Sequence, residues 1–407
     1  SSEVKTVTST LNDQVADYYS SLIDLQLRSI LNSKMYLINK ISFYDQRENE
    51  NFITQNIFQE DIYSNEHYFT NNTNSHVYNL ELGIKTFEFE SELNYQLSPF
   101  YDIKSGLRYK NIFYDQNNIM DRIVDNIAYT PEFPDTFRTS FISDLAHITN
   151  INKAESYKTS AYIENILQIN DNLMLNIAGR TDYFDMNQEL TFSPRLNLSY
   201  STKFGTILRA AWGHYYQSPI YTQLKYSEAS DKNTKSQMAI HYILGVEQDF
   251  DLSKSDISTL KFKLDFFYKD YRNLISSYYS HYDKLFYSRI NDAVGFARGF
   301  DTYLLLTIPK FYTWISYSYL TSMEDELNDN RDPYPRLTAQ THTLAWIGDL
   351  SLGKGWGLNT KYYYGSGYPY SEKTLYYYKE SNEYIWETEA NITSYLPSYQ
   401  RFDIRIS

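Results

Sequence analysis

Apolar and polar residues alternate with period two along most of this chain. In Leu260–Tyr268 the even positions Leu260, Phe262, Leu264, Phe266 and Tyr268 are apolar. Lys261, Lys263 and Asp265 hold the odd positions, with Phe267 as the exception. Phe402-Asp403-Ile404-Arg405-Ile406 and Ile23-Asp24-Leu25-Gln26-Leu27-Arg28 repeat the pattern. Leu173, Leu175, Ile177 and Tyr183 oppose Asn176, Arg180 and Asp182, and Phe192, Leu196, Leu198 and Tyr200 oppose Arg195, Asn197 and Ser199. A 3.6-residue period would scatter these residues over both faces, so the pattern predicts strands. Fifteen are expected, at 21–32, 35–47, 76–97, 100–116, 151–169, 172–186, 190–202, 206–217, 238–251, 257–276, 286–307, 311–322, 337–350, 355–368 and 398–407. The run from His76 to Leu97 changes phase near Lys85-Thr86, which a bulge or a hidden turn would explain.

Strand length and connection length separate a barrel from a soluble β-sandwich. Sandwich strands average about 5–6 residues. Runs such as 76–97 and 257–276 exceed the roughly 9–11 residues that cross a bilayer. Connections alternate between short (Ser33-Lys34, Ser98-Pro99, Asp171, Lys203-Phe204-Gly205, Pro309-Lys310, Leu352-Gly353-Lys354) and long (about 48–75, 117–150, 218–237, 277–285, 323–336 and 369–397). The link near Asn187 is the short exception on the long side. Outer-membrane barrels have short periplasmic turns and long extracellular loops, so the expected fold is an all-β, transmembrane, antiparallel up-and-down β-barrel.

Composition narrows the class. A mean hydropathy of -0.54 fits a barrel as well as a soluble protein, because lumen-facing residues dilute lipid-facing ones. An absence of cysteine excludes disulfides and thiolate zinc sites. A net charge of -13 argues against nucleic acid as a partner. Trp314, Trp346 and Trp356 fall near short turns, as an interfacial girdle requires. Ile315, Tyr317 and Tyr319 claim the apolar face of their strand and leave the facing of Trp314 open.

Several patches resemble the barrel of TonB-dependent outer-membrane receptors. They are Phe192–Tyr200 with Leu208–Pro219, His241–Glu247 with Phe267–Tyr271, Asn291–Asp301, Tyr364–Tyr370 and Tyr399–Arg405. Together they cover about 150–407. The resemblance implies bacterial outer-membrane localisation and active uptake of a scarce nutrient such as a siderophore, cobalamin, an oligosaccharide or a peptide. It implies ligand-binding extracellular loops, a lumen that holds a plug domain, and an energy-coupling TonB complex. The bilayer, lipopolysaccharide and a possible surface lipoprotein complete the partners. The family has 22 strands and an N-terminal plug, so residues 1–407 are expected to be a partial barrel without its plug, with about fifteen or sixteen strands. A weak strand at Glu3–Leu11 would make sixteen, and a passive porin-like channel is the alternative.

Candidate site residues follow from facing. Arg180, Arg195 and Arg209 sit on three successive strands and are expected on the lumenal face. There they would contact the plug or guide an anionic ligand, or simply pair with Asp182, Glu164 and neighbouring wall residues. Gly213, on that face, would admit a close backbone approach or mark a bend. Tyr215, Tyr216 and Gln217 at a strand end, and Tyr376, Tyr377, Tyr378 and Trp386 in the last long loop, are candidate ligand contacts, because tyrosine offers a flat apolar ring and one hydroxyl. An aromatic belt or loop-on-loop packing is the rival use. The acidic run Glu324–Asp332 lacks the spacing of a calcium loop. The seven histidines are scattered and no GxSxG or HExxH occurs, so no enzyme, metal or cofactor is expected. His214 shares the face of Trp212 and belongs to a girdle rather than to catalysis.

Overall fold

A computed structural model describes the backbone of residues 4–62, 68–129, 139–142, 146–220, 223–224, 233–250, 259–279, 285–327, 331–378, 383–388 and 394–407. Side chains are described for 15–51, 80–117, 153–220, 223–224, 233–250, 259–277, 287–327, 331–372 and 394–407. The long strands are β1 (Val4–Asn32), β2 (Met35–Ile62), β3 (Tyr68–Ser98), β4 (Tyr101–Tyr129), β5 (Ala146–Asn170), β6 (Leu173–Phe184), β7 (Glu189–Ser201) and β8 (Thr206–Gln217). They continue with β9 (Gln237–Phe250), β10 (Thr259–Leu274), β11 (Ala293–Ile308), β12 (Phe311–Glu326), β13 (His342–Gly353), β14 (Trp356–Gly365) and β15 (Tyr399–Ile406). With two short strands, Thr139–Ile142 and Tyr334–Pro335, they form one seventeen-stranded sheet. No α-helix occurs among the described residues.

From β6 to β15 each long strand is antiparallel to its chain neighbour in continuous register, apart from shifts near Tyr271/Leu274 and Ser351/Gly353. Turn chemistry explains the tight links. Gly205, Gly353 and Gly355 take positive φ, which an L side chain adopts only with strain. The alternative of a separate strand at Glu3–Leu11 does not hold, because that stretch is the start of β1, from Val4 onward. The phase change near Lys85 lies inside continuous β3, so no hidden turn is present there. The strand expected at 337–350 starts only at His342. The chain first turns at Leu337-Thr338, closed by the bond from the Ala339 N–H to the Arg336 carbonyl at 2.8 Å, and only then enters the ladder.

The chain divides into two compact units. One comprises residues 1–28, 38–91 and 108–159, the turn-distal stretches of β1 to β5. In it Arg108 lies 3.1 Å from Glu88 and 2.7 Å from Glu90, and Lys110 lies 2.7 Å from Glu88. Phe87, Phe89, Tyr109 and Phe113, at alternating positions, are exposed.

The second unit comprises residues 29–37, 92–107 and 160–407. Its two faces invert the arrangement of a water-soluble sheet protein. Leu244, Phe266 and Ile404 are exposed by 63%, 53% and 61%, on a face shared with Leu196, Trp212, Tyr242 and Phe402. The opposite face carries the ion pairs of Arg180, Arg209, Lys261 and Lys263, whereas Asp270 and Arg272 pair on the outward face near the end of β10. An exposed apolar face of this extent requires an apolar solvent. Phe267, the exception to the alternation, sits on the polar face with the Lys269 ammonium 5.3 Å from its ring centre. Trp314 also lies on that face, against Tyr303 at 5.9 Å. Trp346 is on the apolar face, stacked on Phe402 with its indole N–H bonded to Thr313 at 2.8 Å.

Candidate functional site

The polar face of the second unit is organised by the register of β7, β8 and β9. Arg195 pairs with Gly213, and Gly213 pairs with His241. Two residues further along β8, Tyr215 reaches both neighbours. The Arg195 guanidinium lies 4.5 Å from its ring centre, and the His241 ring stacks on it at 4.2 Å and 29°. Gly213 makes the arrangement possible, because a Cβ there would lie 3.0 Å from Arg195 Cγ and 3.3 Å from the Pro194 carbonyl. Gly245 on β9 has the same role in the adjacent layer, where a side chain would collide with the Asp265 carboxylate. Asp265 therefore reaches within 3.8 Å of Arg209, which also sits 2.9 Å from Glu247 in an ion pair without hydrogen-bond alignment.

Beyond this stack, cations again rest on rings. Lys269 covers Phe267, and Arg336 lies 5.3 Å from the centre of Tyr271 while its Nε meets Glu324 at 2.9 Å. Glu324 is only 8% exposed, and burial pushes its carboxyl above the usual range, opposed by the charge of Arg336. A cavity of about 1160 Å³ runs along Arg209, Asp265, Phe267, Lys269, Tyr271 and Arg336. A second, of about 580 Å³, is bordered by Tyr215, Gln217, Gln237, Tyr271 and Glu324. Together they form a polar wall with guanidinium and ammonium groups displayed over aromatic faces, suited to anions and to flat rings.

The residues singled out by sequence fare differently. Arg180 bonds Asp182 through Nε and Nη2, and its Nη2 reaches Ser160 at 3.0 Å. Arg209 is paired as described. Among the three, Arg195 alone rests on a ring without a carboxylate, and its Nε is buried without a hydrogen-bond partner. Glu164 accepts a hydrogen bond from Asn176 rather than pairing with an arginine. Tyr215 joins the stack, and the pleat sends the neighbouring Tyr216 the other way. Tyr376, Tyr377 and Tyr378 lie on Lys373–Tyr378, which pairs with Glu383–Thr388 so that Trp386 faces Leu375 in register. Their side chains lie outside the described residues. His214 packs edge-on against Trp212 at 5.1 Å on the apolar face. Of the acidic run, Glu324 is committed to Arg336, and residues 328–330 lie outside the described residues. No group of metal-ligating residues occurs among the described residues.

One constellation escaped the sequence reading. Asn187, 1% exposed in the β6–β7 turn, donates to Glu189 at 3.1 Å and to the Thr234 carbonyl at 2.9 Å. Glu189 accepts from the Ser236 N–H, Thr234 donates to the Arg289 carbonyl, and Asn291 bonds the backbones of Lys235 and Asn273. Asp292 accepts from Ser276 and Ser288. This polar clamp ties together the turn-distal ends of β7, β9, β10 and β11. Its signal was the run of amide and carboxylate residues at each strand top, which also suits a solvated loop.

The sequence profile described as "TonB dependent receptor-like, beta-barrel" matches residues 6–407. The chain belongs to the TonB-dependent receptors. It is a protein of the bacterial outer membrane, which it crosses with strands; no described helix is long and apolar enough to cross. Several solved structures share its fold at low identity. The siderophore receptor PirA from Acinetobacter baumannii is 13% identical with a TM-score of 0.57, the match covering 96% of this chain and 64% of that one. The siderophore receptor PiuA from Acinetobacter baumannii is 11% identical (TM-score 0.55; 99% and 71% covered). FpvAI in its complex with pyocin S2 is 9% identical (TM-score 0.54; 100% and 60% covered). No curated protein matches the sequence. In a transmembrane β-barrel the apolar face meets lipid and the polar face lines the interior.

Proposed function

We propose that this TonB-dependent receptor imports a scarce, anionic nutrient of the siderophore class, with cobalamin, oligosaccharides and peptides as the less favoured cargoes. Extracellular loops capture the ligand, the lumen holds a plug, and the TonB complex drives release using the proton gradient. Residues 1–407 supply the barrel wall. Lipopolysaccharide surrounds that wall, and a surface lipoprotein over the mouth is compatible with the reading.

The observation that carries this function is the lumenal stack of Arg195, Tyr215 and His241, continued by Lys269 and Arg336 over Phe267 and Tyr271. Cations held over rings attract negative charge, and ring faces beside them accept planar ligand groups. Arg180, Arg195 and Arg209 are proposed as plug- or ligand-facing. Tyr215, Tyr216, Gln217, Tyr376, Tyr377, Tyr378 and Trp386 are proposed as ligand contacts. The likeness of the fold to receptors described as siderophore receptors supports the cargo class.

The test is uptake of radiolabelled ferric siderophores by cells carrying the full-length receptor. Accumulation that stops when the proton gradient is dissipated or TonB is deleted supports the importer. Accumulation that continues under both conditions refutes it in favour of a pore.

A further inference from the structure

Arg298 is on the wrong face of β11 for a charged residue. It lies between Phe296 and Phe300, and Phe300 packs on Phe266 at 6.0 Å and on Tyr319 at 5.9 Å on the lipid-facing side. Arg298 is exposed, makes no hydrogen bond or ion pair among the described residues, and rests only on Phe296, whose ring centre is 5.2 Å away. The nearest outward carboxylate by register, Asp270, is already held by Arg272 at 2.7 Å.

Register fixes the height of this free guanidinium. Trp212, Tyr242, Tyr268 and Arg298 stand in one row across β8, β9, β10 and β11. The row towards the short turns is Ala210, Leu244, Phe266 and Phe300, and beyond it β10 presents Leu264, Phe262 and Leu260. Leu260 to Tyr268 spans about 26 Å of strand at about 3.3 Å per residue, roughly 20 Å of height at a strand tilt of about 40°, so the row of Arg298 stands in the upper part of an apolar band about 25 Å tall. Arg298 therefore sits in the aromatic girdle at the extracellular edge of that band. At this depth an outward cation is tolerated, and its natural counter-ion is a lipid headgroup.

We propose that Arg298 is a binding site for the phosphate of an outer-leaflet lipid. The guanidinium fork grips the phosphate oxygens, and the acyl chains run down over Leu244, Phe266 and Phe300. A guanidinium favours phosphate because its paired N–H groups match two oxygens at once. Tyr268 and Thr321, in register on either side, can offer hydroxyls to the same headgroup.

Native mass spectrometry of the full-length receptor, delipidated in detergent and titrated with bisphosphorylated lipid A, tests the site. The expected result is that the wild type binds lipid A about tenfold more tightly than Arg298→Gln, as the loss of one charge-assisted contact implies. Arg298→Lys should recover some of the difference, and enzymatic removal of the lipid phosphates should abolish it. Equal binding by wild type and Arg298→Gln overturns the proposal, as does wild-type binding that survives dephosphorylation. Displacement of lipid A by millimolar inorganic phosphate would show a free-phosphate site and also overturns it. Unchanged heat-modifiable gel migration of each variant establishes that the barrel has folded.

Discussion

The guanidinium of Arg195 lies 4.5 Å from the centre of the Tyr215 ring, and a glycine makes room for it. With Gly213 opposite Arg195 in register, the arginine stem crosses β8 where any Cβ would touch it. Gly213→Val is expected to expel Arg195 from the ring and to destabilise the barrel by roughly 1–3 kcal/mol, the usual cost of overpacking. Gly213→Ala should cost less, since the flexible Arg195 side chain yields more readily than the Pro194 carbonyl. Urea unfolding in detergent, followed by tryptophan fluorescence, measures both.

Glu324 and Arg336 tie the segment after β12 to the strand it leaves. The carboxyl of Glu324 is raised above 4.5 chiefly by burial, with Arg336 pulling the other way and Glu326 and Asp292 adding to the rise. A carboxyl that binds its proton more tightly folded than unfolded contributes stability that is complete below pH 4.5. That contribution fades as pH rises through the elevated native value. Hydrogen exchange of the backbone around Met323–Arg336 is therefore expected to quicken from pH 4.5 upward beyond the intrinsic chemical trend. Glu324→Gln, neutral at every pH, should remove the excess. An excess that persists in the variant would assign it to another group.

The clamp around Asn187 is buried and its amide N–H groups are bonded, so its loss leaves polar groups stranded. Asn187→Ala should cost about 1–3 kcal/mol in thermal or urea unfolding. Asn187→Asp should cost more at neutral pH, because a second carboxylate would face Glu189, and the gap between the two variants should narrow below about pH 4. A variant as stable as the wild type would mean that water replaces the amide.

Deleting residues 370–396 removes both strands of the last loop hairpin together with Tyr376–Tyr378 and Trp386. Whole-cell binding of the imported siderophore is expected to weaken by at least tenfold while the barrel still reaches the surface, as read by antibody against an epitope in another loop. Unchanged affinity would exclude this loop from recognition and leave the lumenal wall as the site.

The alternation of Leu260–Tyr268 and its counterparts contained the long strands, the placing of Arg180, Arg195 and Arg209 on the polar side of their strands, and the tight turns at Ser33-Lys34 and Pro309-Lys310. A period-two pattern on a twisted sheet needs no long-range information, so a single chain reveals it. The alternative of a separate strand at Glu3–Leu11 could be closed only by the structure, because nothing local shows that β1 runs through from Val4 without a turn. What each inward side chain does depends on residues far away in sequence. Arg209 meets Glu247 and Asp265, and Arg195 meets Tyr215. Asn187 reached Thr234, and Glu324 reached Arg336, only once the strands were in register. Sequence determined a ribbon with one oily and one wet side, because facing is a property of each strand alone. Tertiary structure decided the partners, because cross-strand neighbours are set by register, and register is a property of pairs of strands.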